Sequence, residues 1–332
     1  MNETKKALIR KTLERHYEAY RQHLRDTDAF EPIACDCKLD KLVIVTSAAP
    51  RAAIHGIPGF RFLRRYPVKP PHPGEFVPYK WVARIAGVNS IREVVICYDR
   101  QAGWLAPARI IVTARDAIGL QFADVCSVFE LLSNPQLVDV EIALDFPINS
   151  VIDVAFVERH AIFGKSQPRN VGKHPLYSNY GTRVGSKFVR SYAKFEIQRH
   201  RVEPNFHRRD LKRFGIKDIF NLHTLADILP RHIFFAQLSR AKLEQNLHRQ
   251  DFSIQKRQAI LREAEKLERN LCQALKYLRR TARLKNTRRL LSPLDDLNRV
   301  VLAAINKWAA EWAANYPVQK VSDYLRQTQS WM

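Results

Sequence analysis

Residues 177–203, YSNYGTRVGSKFVRSYAKFEIQRHRVE, interleave basic and aromatic side chains with small or apolar ones. An extended chain sends successive side chains to opposite faces. In a strand, Phe188, Arg190, Tyr192, Lys194 and Glu196 therefore share one face, and Val189, Ser191, Ala193 and Phe195 the other. Arg199, Arg201 and Glu203 share a face in the strand that follows. Such alternation fits a half-solvated sheet with its charges outside. It also fits a tyrosine hydroxyl set among cations to meet a phosphate.

A second stretch bears on that choice. In LVDVEIALDF, residues 137–146, Val138, Val140, Ile142, Leu144 and Phe146 form an apolar face. Asp139, Glu141 and Asp145 line the opposite face, with Ala143 between them. Carboxylates held that close repel unless a basic neighbour or a hard cation offsets them, and Mg²⁺ or Mn²⁺ accepts such oxygen ligands. The pattern leaves both open: a cation, or ion pairs with Arg190 or Arg201 in adjacent strands.

Other chemistries are excluded. GKS at 164–166 ends like a phosphate-binding loop, but Arg159 stands where that loop needs glycine. No two of the eleven histidines are two residues apart, which removes a paired-histidine metal site. His200 and His207 flank the basic strand and are expected at the surface or on phosphate. The five cysteines include one close pair, Cys35 and Cys37, and no second pair at zinc spacing.

The elements that must carry these residues are strands and then helices. Residues 3–26 read as a helix with Leu8, Leu13, Tyr17 and Tyr20 on one side. Strands are predicted at 41–47, in the segments YKWVARIAG, REVVICYDR and ARIIVTARD, at 137–146, 186–195 and 197–203. Pro204 is expected to end the last early. RRYPVKPPHPGEF reads as an extended loop because of its prolines. Helices are predicted at about 121–133 and at 151–162, the latter capped by Ser150 and ended by Gly164. From His207 onward strand signals stop. Ile260, Ala264, Leu267, Leu271, Ala274 and Leu278 form a heptad-like seam, and Leu297, Val301, Ala304, Trp308 and Trp312 an apolar stripe read as core. The fold class is α+β: a mostly antiparallel sheet with helices on one face, then a helical region. The domain division expected is 1–40, 41–206 and 207–332.

The 332 residues carry 55 Lys and Arg against 33 acids, a net charge of +22, with 46% hydrophobic residues. A folded protein with a polyanionic partner follows, nucleic acid ahead of a membrane surface. Residues 159–215 hold 14 Lys and Arg against Glu196, Glu203 and Asp210, half the net charge. Between Lys276 and Arg289 stand seven basic residues and no acid. The N-terminus lacks the apolar core of a signal peptide, and no apolar run approaches the ~18 residues of a membrane span. A cytoplasmic protein with reduced cysteines and no membrane partner is expected.

Four motifs in order give a resemblance. EIALD (Glu141 to Asp145), YGTR leading to Ser186, RSYAK (Arg190 to Lys194) and RVE (Arg201 to Glu203) resemble the replication initiation factor family of plasmid and phage rolling-circle initiators. The resemblance covers residues 136–215. Ala193 stands where the family usually has Asp or Asn, and Glu141 where it more often has Asp. What it implies is metal-dependent DNA nicking and joining, in which a tyrosine attacks a phosphodiester, becomes joined to the 5′ phosphate and frees a 3′ hydroxyl. Tyr192 is the matching nucleophile, with Lys194 and Arg190 lowering its pKa and holding phosphate. Glu141, Asp145 and Glu203 would hold the Mg²⁺ or Mn²⁺, Glu203 alternatively orienting Arg201 as a phosphate clamp. Arg183, Lys187, Arg199, Arg201, Arg279, Arg280 and Arg283 would contact DNA. The partner is a single-stranded or supercoiled origin, with a homodimer left open. The alternative is a non-enzymatic DNA-binding protein using the same basic face.

Overall fold

The computed structural model describes residues 3–48, 51–70, 76–163, 176–180, 188–284 and 286–315. Its elements in chain order begin with α1 (Glu3–Asp26), β1 (Asp36–Thr46), α2 (Arg51–His55), β2 (Arg61–Pro67), β3 (Tyr79–Ala86), β4 (Ile91–Arg100), β5 (Ala108–Ala114) and α3 (Phe122–Phe129). Next come β6 (Gln136–Pro147), α4 (Val154–His160), β7 (Ala161–Phe163), β8 (Tyr177–Tyr180), β9 (Phe188–Lys194), β10 (Arg199–His207) and α5 (Arg208–Arg213). The chain continues through α6 (Leu225–His232), β11 (Ile233–Leu238), α7 (Arg240–His248), α8 (Ile254–Leu267), α9 (Leu271–Thr281), β12 (Leu291–Pro293) and α10 (Asp295–Ala314). A nine-stranded sheet has the order β2-β3-β4-β5-β1-β6-β10-β9-β8, and a three-stranded sheet the order β12-β11-β7. The α+β class is as the sequence predicts. No helix among the described residues is long and apolar enough to cross a membrane.

The chain divides into two compact units. One comprises Cys37–Ala143, Pro204–Ala226 and Ile305–Met332. Its strands β2 to β5 form an antiparallel meander, and β1 pairs antiparallel with β5, Lys41 opposite Thr113 and Val45 opposite Arg109. Burial along β5 alternates: Ala108, Ile110, Val112 and Ala114 are buried, and Arg109, Ile111 and Thr113 half-buried. That is the signature of a sheet with one face on a core and one partly open. The aromatic part of this core joins Phe122 edge-on to Phe220 and Trp312, and the Trp312 indole donates to the Ile219 carbonyl at 2.9 Å. The predicted tryptophan stripe is therefore core, with Trp308 also buried.

The other unit comprises Met1–Asp36, Leu144–Glu203 and Asp227–Ala304. Its small sheet, β12-β11-β7, is pinned by Asn298, whose amide accepts from the Phe235 N–H at 2.9 Å and donates to its carbonyl at 2.8 Å. Leu243, Leu247, Ile260, Ala264, Leu278 and Leu290 make one apolar cluster. Helix α1 enters by Tyr17, Arg21 and Leu24, while Leu8, Leu13 and Tyr20 are exposed, which corrects the predicted stripe. The Arg21 guanidinium donates to the carbonyls of Ile148, Ser150 and Val151 and pairs with Asp153 at 3.0 Å. A buried cation is tolerated because it is satisfied in this way.

Several local expectations are corrected. Residues 61–67, including the first part of the proline-rich run, form β2. Helix α4 starts at Asp153, which accepts from the Phe156 N–H at 2.7 Å, while Ser150 donates to the Pro147 carbonyl instead. Gly164, the expected stop, lies outside the described residues. Strand β10 runs through Pro204 to His207; proline removes one ladder donor but keeps an extended-compatible φ. The seam at 260–278 is two helices, because Asn270 caps α9 by accepting from the Gln273 N–H at 3.1 Å. Strands β11 and β12 follow His207 where none was expected.

Candidate active site

Strand β9 carries the predicted nucleophile. Tyr192 is half-buried and lies directly opposite Tyr177 of β8, so the two phenols start from one face of this strand pair. Arg190 and Lys194 are also half-buried, two residues to either side of Tyr192. The Arg190 guanidinium lies 5.8 Å from the Tyr192 ring centroid and is ion-paired with Glu203 Oε2. Glu203 is buried, so its charge is held in low dielectric, where a partnered arginine is fixed in position. A cation thus stands against the phenol ring within cation–π range.

The three predicted metal ligands have different surroundings. Asp145 receives both arms of the Arg201 fork, Nε to Oδ1 at 2.6 Å and a terminal nitrogen to Oδ2 at 2.8 Å. Both side chains are essentially inaccessible. Asp145 thus takes the ion-pair reading, and Arg201, expected to clamp phosphate, has its fork turned inward. Glu141 accepts from the Lys41 ammonium and from Asn205 Nδ2 at 2.9 Å through the same oxygen, Oε1. Asp139 meets His207 Nδ1 at 3.0 Å, so that histidine is half-buried beside a carboxylate.

A carboxylate pair nevertheless forms. Within the first of the two units, Asp40 and Glu141 each offer one carboxylate oxygen, and these lie within 4.8 Å of each other. Hard oxygen donors at that spacing suit Mg²⁺, Mn²⁺ or Ca²⁺. The pair fits a divalent cation, although Lys41 already compensates part of its charge. Asp40 was missed in the sequence because it stands one residue before Lys41, where the predicted strand begins.

His200, expected at the surface, is fully buried, with Nε2 2.9 Å from Ser191 Oγ. Burial pushes its pKa down to about 4, the Asp153 carboxylate opposing and Arg21 adding to that shift. It is neutral at pH 7 and joins β9 to β10 by a buried hydrogen bond. Of the predicted DNA contacts, Arg279, Arg280 and Arg283 are exposed at and after the end of α9, and Arg199 is half-exposed. Arg183 and Lys187 lie outside the described residues, as does Ser186.

No family model matches the chain, and no curated protein matches it. Among solved structures it is similar to the rolling circle replication initiator protein from Geobacillus stearothermophilus, at 15% identity and a TM-score of 0.37, covering 62% of this chain and 88% of that one.

Proposed function

We propose that this chain is a DNA-binding, replication-initiator-like protein that nicks and rejoins DNA with Tyr192 as nucleophile. The observation that carries the reading is the Arg190 guanidinium, paired with buried Glu203 and set against the Tyr192 ring at 5.8 Å. A phenol with a pKa near 10 is a weak nucleophile at neutral pH, and an adjacent cation favours its anion. In the step, the Tyr192 oxygen bonds to phosphorus, the bond from phosphorus to the 3′ oxygen breaks, and that oxygen leaves as a 3′ hydroxyl after taking a proton. The phenolic proton passes to solvent. Rejoining is the reverse, with the 3′ hydroxyl as attacker.

Asp40 and Glu141 would hold the divalent cation. Such a cation, when bound, neutralises charge developing on the phosphoryl oxygens. Arg190 and Lys194 hold the phosphate and Arg199 guides DNA, with Arg279, Arg280 and Arg283 extending the cationic surface. Asp145 and Arg201 form a buried ion pair with a structural role.

One observation favours a second reading, DNA binding without cleavage: Glu141, Asp145 and Glu203 all have basic partners within the protein. Covalent capture separates the two. Incubation with single-stranded or supercoiled origin DNA and Mn²⁺ should leave protein joined to a 5′ phosphate under denaturing conditions. Tight binding to that origin without any adduct would establish the second reading.

A further inference from the structure

We propose that the outer edge of the meander, β2 with the adjoining end of β3 and β4, is a binding surface for single-stranded DNA. This rests on the DNA-binding reading above but uses none of the residues assigned there. Strand β2 ends the sheet order, and every residue from Arg61 to Pro67 is exposed. It carries Arg61, Arg64 and Arg65 beside exposed Phe62 and Tyr66. The Arg65 guanidinium lies 4.1 Å from the Trp81 ring centroid and 5.6 Å from that of Tyr98, two rings directly opposed across β3 and β4. Beyond the last pair of those strands, Tyr79 with Arg100, stand Phe76 and Trp104. Their centroids are 6.1 Å apart with planes tilted by 31°, and they are 59% and 78% exposed.

Large aromatic faces left in water beside stacked guanidinium groups are costly unless a ligand covers them. The chemistry that suits both parts is a polyanion with free planar faces. Unpaired bases stack on aromatic rings, while phosphates meet the arginines. A duplex keeps its base faces hidden and would use only the cations. A second copy of the chain pairing edge to edge would set the same arginines against one another, a repulsive arrangement.

The full chain is titrated with a labelled oligothymidine and, separately, with the duplex of the same sequence. Combining Phe76→Ala with Trp104→Ala should weaken oligothymidine binding about tenfold, with duplex affinity and melting temperature unchanged. Arg65→Ala should make the salt dependence of oligothymidine binding shallower by about 0.7 in the log–log slope. Wild-type affinity for the oligonucleotide in both variants would overturn the proposal while leaving DNA binding in place. Equal losses for duplex and single strand would also overturn it. So would a concentration-dependent dimer dissolved by Phe62→Ser. Binding to neither form by the wild-type chain would remove the underlying DNA-binding reading as well.

Discussion

At the scale of single residues, the carboxylates divide by what faces them. Asp145 and Glu141 share one strand face and look equivalent in the sequence, yet Asp145 is locked into a bidentate pair with inaccessible Arg201. Removing one member of such a pair leaves a buried charge alone, so Asp145→Ala should cost about 3–5 kcal/mol in a urea titration. Asp40 is half-exposed, and Asp40→Asn should stay within about 1 kcal/mol of the wild type while lowering Mn²⁺-dependent nicking at least tenfold. Equal stability losses in the two variants would remove the distinction between ion pair and cation ligand. The sequence displayed the acidic face because its period of two is unbroken. It could not show which acid an arginine would claim, since Arg201 lies 56 residues away from Asp145.

At the scale of elements, long strands with clear alternation were legible. The strands predicted at 137–146 and 186–195 correspond to β6 and β9, whereas the one at 197–203 begins in a 3₁₀ turn and stops four residues short of the end of β10. Short apolar runs were not: IFFAQL after the proline-bearing α6 does not distinguish strand from helix by period. Nor did the sequence foretell that β10 is buried along nearly its whole length, which takes His200 out of solvent. That burial has a pH signature. The folded pKa of about 4 lies below the ordinary 6.5, so the unfolded chain binds the proton first. This contribution is intact above pH 6.5 and is lost as pH falls from there toward 4, by on the order of 3 kcal/mol. Unfolding free energies across this range should show that slope in the wild type and lack it in His200→Gln, whatever that variant's stability at pH 7. An identical slope in both would assign the acid sensitivity to other groups.

At the scale of the whole molecule, a net charge of +22 pointed to a polyanion without naming the face that meets it. Phosphate contacts by Lys and Arg release counterions, so DNA affinity should fall linearly in log–log form with salt, and a flat profile would detach the charge from DNA binding. Charge alone serves binding, whereas nicking requires one hydroxyl in one place. The most direct measurement is therefore covalent capture of origin DNA with Mn²⁺, comparing wild type with Tyr192→Phe, which removes only that hydroxyl. Wild type should give an adduct whose linked peptide contains Tyr192, and the variant should give none while binding DNA as before. An adduct that persists in Tyr192→Phe, carried for instance by the facing Tyr177, would contradict the assignment of the nucleophile.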